Sequence, residues 1–393
     1  MPSPQTTIAA YFGKLPDPRG EARALRHELL DILTIALCAM LSGAETFTDM
    51  ERFGKAKFDW LRERLGLSLA YGVPSHDTFG RLFARLDPKP FAQAFAEWTQ
   101  GLHSQTQGEV IALDGKTLRR SFDTATGQAA LHLVTAWASE NRLVLAQQAV
   151  DEKSNEITAI PLLLEMLDIR GCVVTADALN TQKTIAQKVI AQGGDYVLAL
   201  KENHALLHAD VAGFCDWARA RPGGLTEMAV DSTQTREWGH GRQEVRRCWC
   251  LEATSGDWPE AVRQWDGLRT IVCIESERRQ QTSDPNTQSL SAPQCERRYY
   301  LSSLPGEAPR LLKTVRDHWG IENSQHWVLD VAFDEDKSRV RKDHAAKNLA
   351  TLRRLALNLL RKNTSDKGGV KAKRMKAAWN HDYLLTILCG PNG

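Results

Sequence analysis

Three acidic residues stand far apart in the chain, each in a setting that leaves its carboxylate usable. Asp114 closes the apolar run Val110-Ile-Ala-Leu, and Asp177 closes Cys172-Val-Val-Thr-Ala. Glu322 falls in the amphipathic stretch from Val315 to Asn323. Two carboxylates at strand ends and one on a later helix can hold a pair of Mg²⁺ ions roughly 3.5–4 Å apart, which clamp the attacking and leaving oxygens of a phosphodiester. The chemistry these residues predict is phosphoryl transfer on nucleic acid.

The neighbours of each acid fit that reading but admit plainer ones. Lys116, Arg119 and Arg120 follow Asp114 and suit a phosphate chain, or they are surface bases after a tight turn. Asp177 either ligates a metal or belongs to a turn in which Asn180 caps the next helix. On the later helix His318, Glu322, His326 and Asp330 recur every four residues and predict one polar stripe beside Trp319, Ile321 and Trp327. Asn323 can orient Glu322 or meet the phosphate. A Glu-x-x-x-His pair also suits zinc, but with no third imidazole or thiolate nearby, Mg²⁺ with oxygen ligands ranks above it. Mn²⁺ is a possible substitute. Two further clusters join the candidates. Lys201-Glu-Asn203-His204 follows a strand, with helix capping as its plain alternative. Arg236 to Arg247, with Trp238 and Arg242, mixes bases with an aromatic and can grip phosphates while stacking a base, or be a surface hairpin.

The elements that must position these groups are legible from periodicity. Residues 8 to 102 read as all-helical, with Ser75 as an N-cap. From about 108 the rhythm changes to short apolar strands and helices in the order β-β-β-α-β-α-β, with Asp114 and Asp177 at the ends of the first and fourth strands. In an open sheet, ligands collect at such ends. Residues 223 to 303 read as a β-rich insertion containing a loop over Glu277 to Ser291. Helices return over Pro309 to Phe333 and Asp343 to Arg361. A linker and a basic tail helix occupy 363 to 393. The fold class is therefore α/β with an amino-terminal helical domain.

The totals set the frame. At 393 residues, 42% hydrophobic and 25% charged, the chain is globular and long enough for two or three domains. Its formal net charge of +2 conceals an asymmetry. From Lys337 to Lys376 fourteen basic residues, Arg339 and Arg341 among them, face only Asp343 and Asp366. A basic block on an acidic chain is the electrostatic footprint of a polyanion, or a solvated helical face. The eight cysteines form no CxxC pair, which removes zinc-ribbon spacing and fits reduced thiols in the cytoplasm. The first residues do not read as a signal peptide, and the apolar run Leu29–Leu41 is too short to span a bilayer.

Taken together, the motifs resemble bacterial insertion-sequence transposases with a DDE triad, more narrowly the ISAs-one family of H-repeat-associated proteins. The resemblance rests on Leu15-Pro-Asp-Pro-Arg19, Pro74-Ser-His-Asp-Thr-Phe79, Asp114-Gly-Lys-Thr-Leu-Arg-Arg-Ser121, Ala176-Asp-Ala-Leu-Asn180, Leu200-Lys-Glu-Asn-His204, Arg298-Tyr-Tyr-Leu-Ser-Ser303 and His318-Trp-Gly-Ile-Glu-Asn323. It runs from about residue 8 to 385. It implies a ribonuclease-H-like catalytic core over 108 to 362, interrupted by the β-rich insertion, with Asp114, Asp177 and Glu322 as the triad. Related transposases carry a Tyr, Arg, Glu, Lys signature here, whereas this chain has His318 and Leu329 at the arginine and lysine positions.

The expectation is a Mg²⁺-dependent transposase that cuts and joins DNA at element ends. Terminal inverted repeats and target DNA are its partners, and the need for two ends to meet implies a homodimer in the DNA complex. The expected DNA contacts are Lys116, Arg119, Arg120, Lys201, Arg236, Arg242, His318, Asn323, His326, Arg339 and Arg341. The expected location is the bacterial cytoplasm, on the nucleoid. The rival is a catalytically inactive DNA-binding relic of a transposon, and a third reading is a nuclease that cuts without joining.

Overall fold

Apolar residues at helical spacing, set between capping side chains, make the amino-terminal quarter helical. A computed structural model describes residues 4–20, 25–103, 107–124, 127, 129–150, 155–239, 241–254, 258–281 and 290–389. It begins with α1 (Pro4–Phe12), α2 (Leu29–Leu41), α3 (Phe47–Ala56), α4 (Phe58–Leu65), α5 (His76–Arg85) and α6 (Pro88–Leu102). Thr46 and Asp49 form a reciprocal capping box at α3. Ser75 caps α5 as expected, and Asp87 with Pro88 starts α6.

The expected alternation follows as β1 (Val110–Thr117), β2 (His132–Ala138), β3 (Leu143–Ala149), α7 (Glu156–Glu165), β4 (Val173–Ala176), α8 (Lys183–Ala191) and β5 (Asp195–Leu200). One correction falls at Asp114. The strand does not stop there but continues three residues through Gly115 and Lys116 to Thr117. Two helices that periodicity left unassigned come next, α9 (Ala205–Arg219) and α10 (Gly224–Met228), and then β6 (Asp231–Gly239), β7 (Arg242–Glu252) and α11 (Glu260–Arg263). Next, β8 (Thr270–Gln280) carries strand into the start of the expected loop, β9 (Gln294–Ser302) begins beyond it, and residues 282–289 of that loop lie outside those described. The chain ends with α12 (Ala308–His318), a π-helical turn (Glu322–His326), α13 (Trp327–Phe333), α14 (Ala345–Lys362), α15 (Val370–Trp379) and α16 (His381–Cys389). The single tail helix expected from the sequence is thus two, divided at Asn380.

Two units result. The first comprises residues 1–104, 115–167 and 321–393, and the second 105–114 and 168–320. In the first, α2 is apolar on all sides and buried from Asp31 to Leu41, as a central helix must be. The other central helix, α14, is buried along nearly its whole length despite its polar residues. Two of its asparagines are bonded internally, which helps make their burial tolerable. Asn348 donates to the carbonyls of Phe83 and Leu86, both at 2.8 Å, at the open end of α5. Asn358 accepts from the Val144 N–H at 2.9 Å and donates to the Val144 carbonyl at 2.8 Å, on β3 of the antiparallel β2–β3 pair.

The basic block is accordingly not one solvated face. Arg353, Arg354, Lys373 and Arg374 are buried. Lys373 donates to the carbonyls of Leu360 and Asn363. Arg374 donates to the Met40 carbonyl at 3.0 Å and pairs with Glu45 at 2.7 Å. These cations hold helices together, and composition alone could not distinguish them from bases facing a polyanion.

In the second unit the strands lie in the order β1-β4-β5-β9-β8-β7-β6. The β1–β4 and β4–β5 pairs are parallel, and every pair from β5–β9 onward is antiparallel. The β-rich segment therefore extends a mixed sheet through the β5–β9 pairing. Leu311, Leu312 and Val315 of α12 pack with Val173, Val197, Val272 and Tyr300 of the sheet, each such side chain contributing about 1.5–3 kcal/mol by burial. This packing fixes where α12 ends, and so where His318 lies.

Candidate active site

The second unit brings two of the three acids together. The last β1–β4 register pair is Leu113 with Ala176, so Asp114 and Asp177 are each the next residue on neighbouring parallel strands. Neighbouring strands run about 4.8 Å apart, and register partners share a face. Asp177 is held in a tight turn. Its Oδ1 accepts from the Asn180 backbone N–H at 3.1 Å and from the Asn180 side-chain amide at 2.9 Å. Thr181 Oγ1 lies 3.1 Å from the Asp177 carbonyl and 2.5 Å from that of Ala199. Asn180 thus braces the acid rather than capping α8, whose N-cap position is Gln182.

A cavity of about 660 Å³ opens beside Asp177, and Lys201, Asn203, Arg298, His318 and Trp319 line it. Asn203 donates to the Ala178 carbonyl at 2.6 Å, fixing the turn after Asp177. His318 Nδ1 lies 2.9 Å from Thr175 Oγ1, and burial pushes its pKa down to about 4. It is a neutral imidazole at neutral pH, not the cation that a phosphate contact in place of arginine would require. Arg298 stacks over Trp319 at 4.9 Å, a cation–aromatic pair on the cavity wall that sequence reading did not single out. Arg236 and Arg242 are exposed on the β6–β7 hairpin, the turn-and-strand setting expected for them.

In the first unit Glu322 is exposed and opens the π-helical turn that runs to His326. A π turn spaces hydrogen bonds five residues apart and interrupts the four-residue repeat, so the predicted single polar stripe does not persist. Arg361 donates to the Ser324 carbonyl within this turn and to the Arg142 carbonyl at 3.1 Å, and it stacks over Trp137 at 4.5 Å. A cavity of about 520 Å³ lies alongside, lined by Asn323, Trp327, Arg361 and Lys371. His326 is half-buried, and burial, then Arg354 and Lys116, press its pKa down to about 4.

Lys116 requires the plainest correction. It is buried and ion-paired with Asp330, with Glu335 and Asp336 each at 3.7 Å. Three carboxylates occupy the charge that the sequence offered to a phosphate. Arg119 is exposed, 3.3 Å from Asp336. Arg341 donates to the Arg120 carbonyl at 3.1 Å and stacks over Phe122 at 5.1 Å. Sequence reading also missed His132 and Glu156, which meet at 2.6 Å over Gly115 with Thr117 Oγ1 2.7 Å from the other ring nitrogen. No local motif marks them, because the strand β2 and the start of α7 supply one each.

Among the described residues no group of three or more His, Cys, Asp or Glu is gathered closely enough to hold a metal ion. Asp114 and Asp177 supply two hard oxygen donors on adjacent strands, a donor set that fits Mg²⁺ better than zinc. No described helix is long and apolar enough to cross a membrane.

The chain thus has a mixed sheet with aspartates on neighbouring parallel strands and, earlier in the chain, an amino-terminal helical region. Residues 105–359 match the family described as Transposase DDE domain, and residues 9–99 match its DDE_Tnp_1-associated companion. The chain belongs to the DDE transposase family. YncI of Escherichia coli O157:H7, provisionally named a transposase, is 38% identical over 97% of this chain and 94% of its own. The H repeat-associated YhhI of E. coli K12, named in the same provisional way, is 36% identical over 98% of both chains. A shorter K12 relative, YbfQ, is named an inactive transposase and matches 20% of this chain at 39% identity. The cryo-EM structure of a piggyBac transposase synaptic complex with hairpin DNA aligns over all of this chain and 83% of its own, with a TM-score of 0.45 and 11% identity, too distant to carry an argument.

Proposed function

We propose that this chain is a catalytically competent transposase that nicks DNA at the ends of an insertion sequence and joins them to a target. In this reading the part that carries Asp114, Asp177 and Glu322 is ribonuclease-H-like, and those three carboxylates hold two Mg²⁺ ions, for which Mn²⁺ substitutes. The observation that carries it is the β1–β4 register, which makes Asp114 and Asp177 neighbours on parallel strands. The bound ions supply charge neutralisation at the phosphate and lower the pKa of an attacking water or 3′-hydroxyl. The chain's own part is positioning. Asn180 fixes Asp177 Oδ1, and the Arg361 bond to Ser324 fixes the turn that begins at Glu322. Positioning and pre-set charge account for most of the barrier lowering in phosphoryl transfer. Two ends must meet for joining, so a homodimer forms on DNA carrying the terminal repeats.

The test is cleavage and joining of a labelled element-end duplex with Mg²⁺, comparing wild type with Glu322→Ala and Asp177→Asn. Metal-dependent nicking and strand transfer, abolished in both variants, are the expected results. Binding without nicking by the wild type would instead identify an inactive relic, and nicking without joining would identify a nuclease.

A further inference from the structure

We propose that the first unit carries a groove that grips the phosphate backbone of duplex DNA without reading its sequence, using Arg85, Arg339, Arg341, Lys342 and Lys347. Only the choice of DNA as the polyanion rests on the transposase reading. The groove itself contains none of the three proposed catalytic carboxylates.

The five bases come from the end of α5, the segment before α14 and the first turn of α14, and together they line an open cavity of about 1120 Å³. Asp123 and Asp343 also line it, leaving three positive charges in excess. Arg85, Arg339 and Lys342 are exposed. None of the five forms an ion pair with a carboxylate among the described residues, whereas Lys337, Lys376 and Arg374 in the same basic block are paired with Asp334, Asp366 and Glu45. Uncompensated like charges facing one concavity repel one another. Such an arrangement is stabilised when a polyanion enters and releases its counterions.

The backbone that carries the groove is braced, so binding need not order it. Asn348 fastens the first turn of α14 to the Phe83 and Leu86 carbonyls, and the His344 N–H donates to the Ala84 carbonyl at 3.2 Å. Arg341 is held by the Arg120 carbonyl and by the face of Phe122. The guanidinium of Arg85 reaches this cluster only through folding, because more than 250 residues separate it from Arg339 in the chain.

The test measures binding of a duplex of arbitrary sequence by the full chain in EDTA across a salt series. The wild type is compared with the triple variant Arg85→Gln, Arg339→Gln, Lys342→Gln and with a control of equal charge loss at exposed positions elsewhere, Lys14→Gln, Arg52→Gln, Lys367→Gln. Each lost phosphate contact lowers the log–log salt slope by about 0.9, so the groove variant should lose about 2.7 from the slope and the control almost nothing. Equal effects of the two variants, or no binding by the wild type, would overturn the proposal. If the triple variant is unstable, the three single variants, each expected to lose about 0.9, decide the matter. Binding with the predicted slopes but no Mg²⁺-dependent nicking would sink the catalytic reading while leaving the groove intact.

Discussion

Arg354 donates to Glu335 at 2.8 Å, and both side chains are wholly buried. Burial would raise the Glu335 pKa, but Arg354, Arg353 and Lys116 outweigh it and hold the carboxyl below its usual value. Removing one partner of such a pair leaves a buried charge uncompensated, at a cost of about 3–5 kcal/mol. Arg354→Met should therefore lower the denaturant midpoint sharply, and adding Glu335→Leu should restore much of the loss. Because the folded pKa is depressed, the pair's contribution is complete above the unfolded value of roughly 4.3 and disappears as pH falls through the folded one. A single variant as stable as wild type would remove this pair from the account of the fold.

His318 offers a second, independent pH signature. Burial pushes its pKa down to about 4, below the ordinary 6.5. The unfolded chain thus takes up a proton that the folded chain refuses. Stability from this site is complete above pH ~6.5 and is lost as pH falls toward 4. An NMR titration of the His318 ring should find it neutral at pH 6, and His318→Gln should flatten the acid dependence between those limits. A ring that titrates near 6.5 would restore it as a candidate cation for DNA.

Gly115 follows Asp114 and has no room for a side chain. An added Cβ would lie 2.1 Å from Glu156 Oε1 and 2.6 Å from His132 Nε2. Gly115→Ala must part the His132–Glu156 pair, at a cost of about 1–3 kcal/mol for overpacking. Thermal melts should show that loss, and the double variant with Glu156→Ala should recover most of it. Without recovery, the crowding lies elsewhere.

Gln325 sits buried within the π turn, and neither atom of its amide has a partner among the described residues. An unsatisfied buried polar group costs about 1–3 kcal/mol. Gln325→Met should then raise the melting temperature without changing the fold. A fall instead would show that the amide meets a partner that accompanies bound DNA or solvent.

The sequence by itself determined the local elements and the identity of the acids. Apolar runs of four or five residues ending in Asp read as strands because period and composition are local properties, and β1 to β5 with α7 and α8 followed in the order expected. Ser75 capped α5 because a cap needs only its own neighbours. The resemblance, resting on contiguous motifs, likewise needed no folding to be visible, and the family match agrees with it. Strand pairing was not local. Only the β1–β4 register made Asp114 a neighbour of Asp177, and only the β5–β9 pairing joined the β-rich segment to the sheet. The fate of the charges was the least legible part. Lys116 lies two residues from Asp114 in the chain, yet its partners Asp330, Glu335 and Asp336 lie more than 200 residues away. Arg353, Arg354 and Arg374 look in sequence like Arg339 and Lys342, but burial makes the first three structural and leaves the other two facing solvent. A cation's energy depends on its surroundings in three dimensions, through desolvation and the placement of distant carboxylates, and neither is written in the run of residues around it.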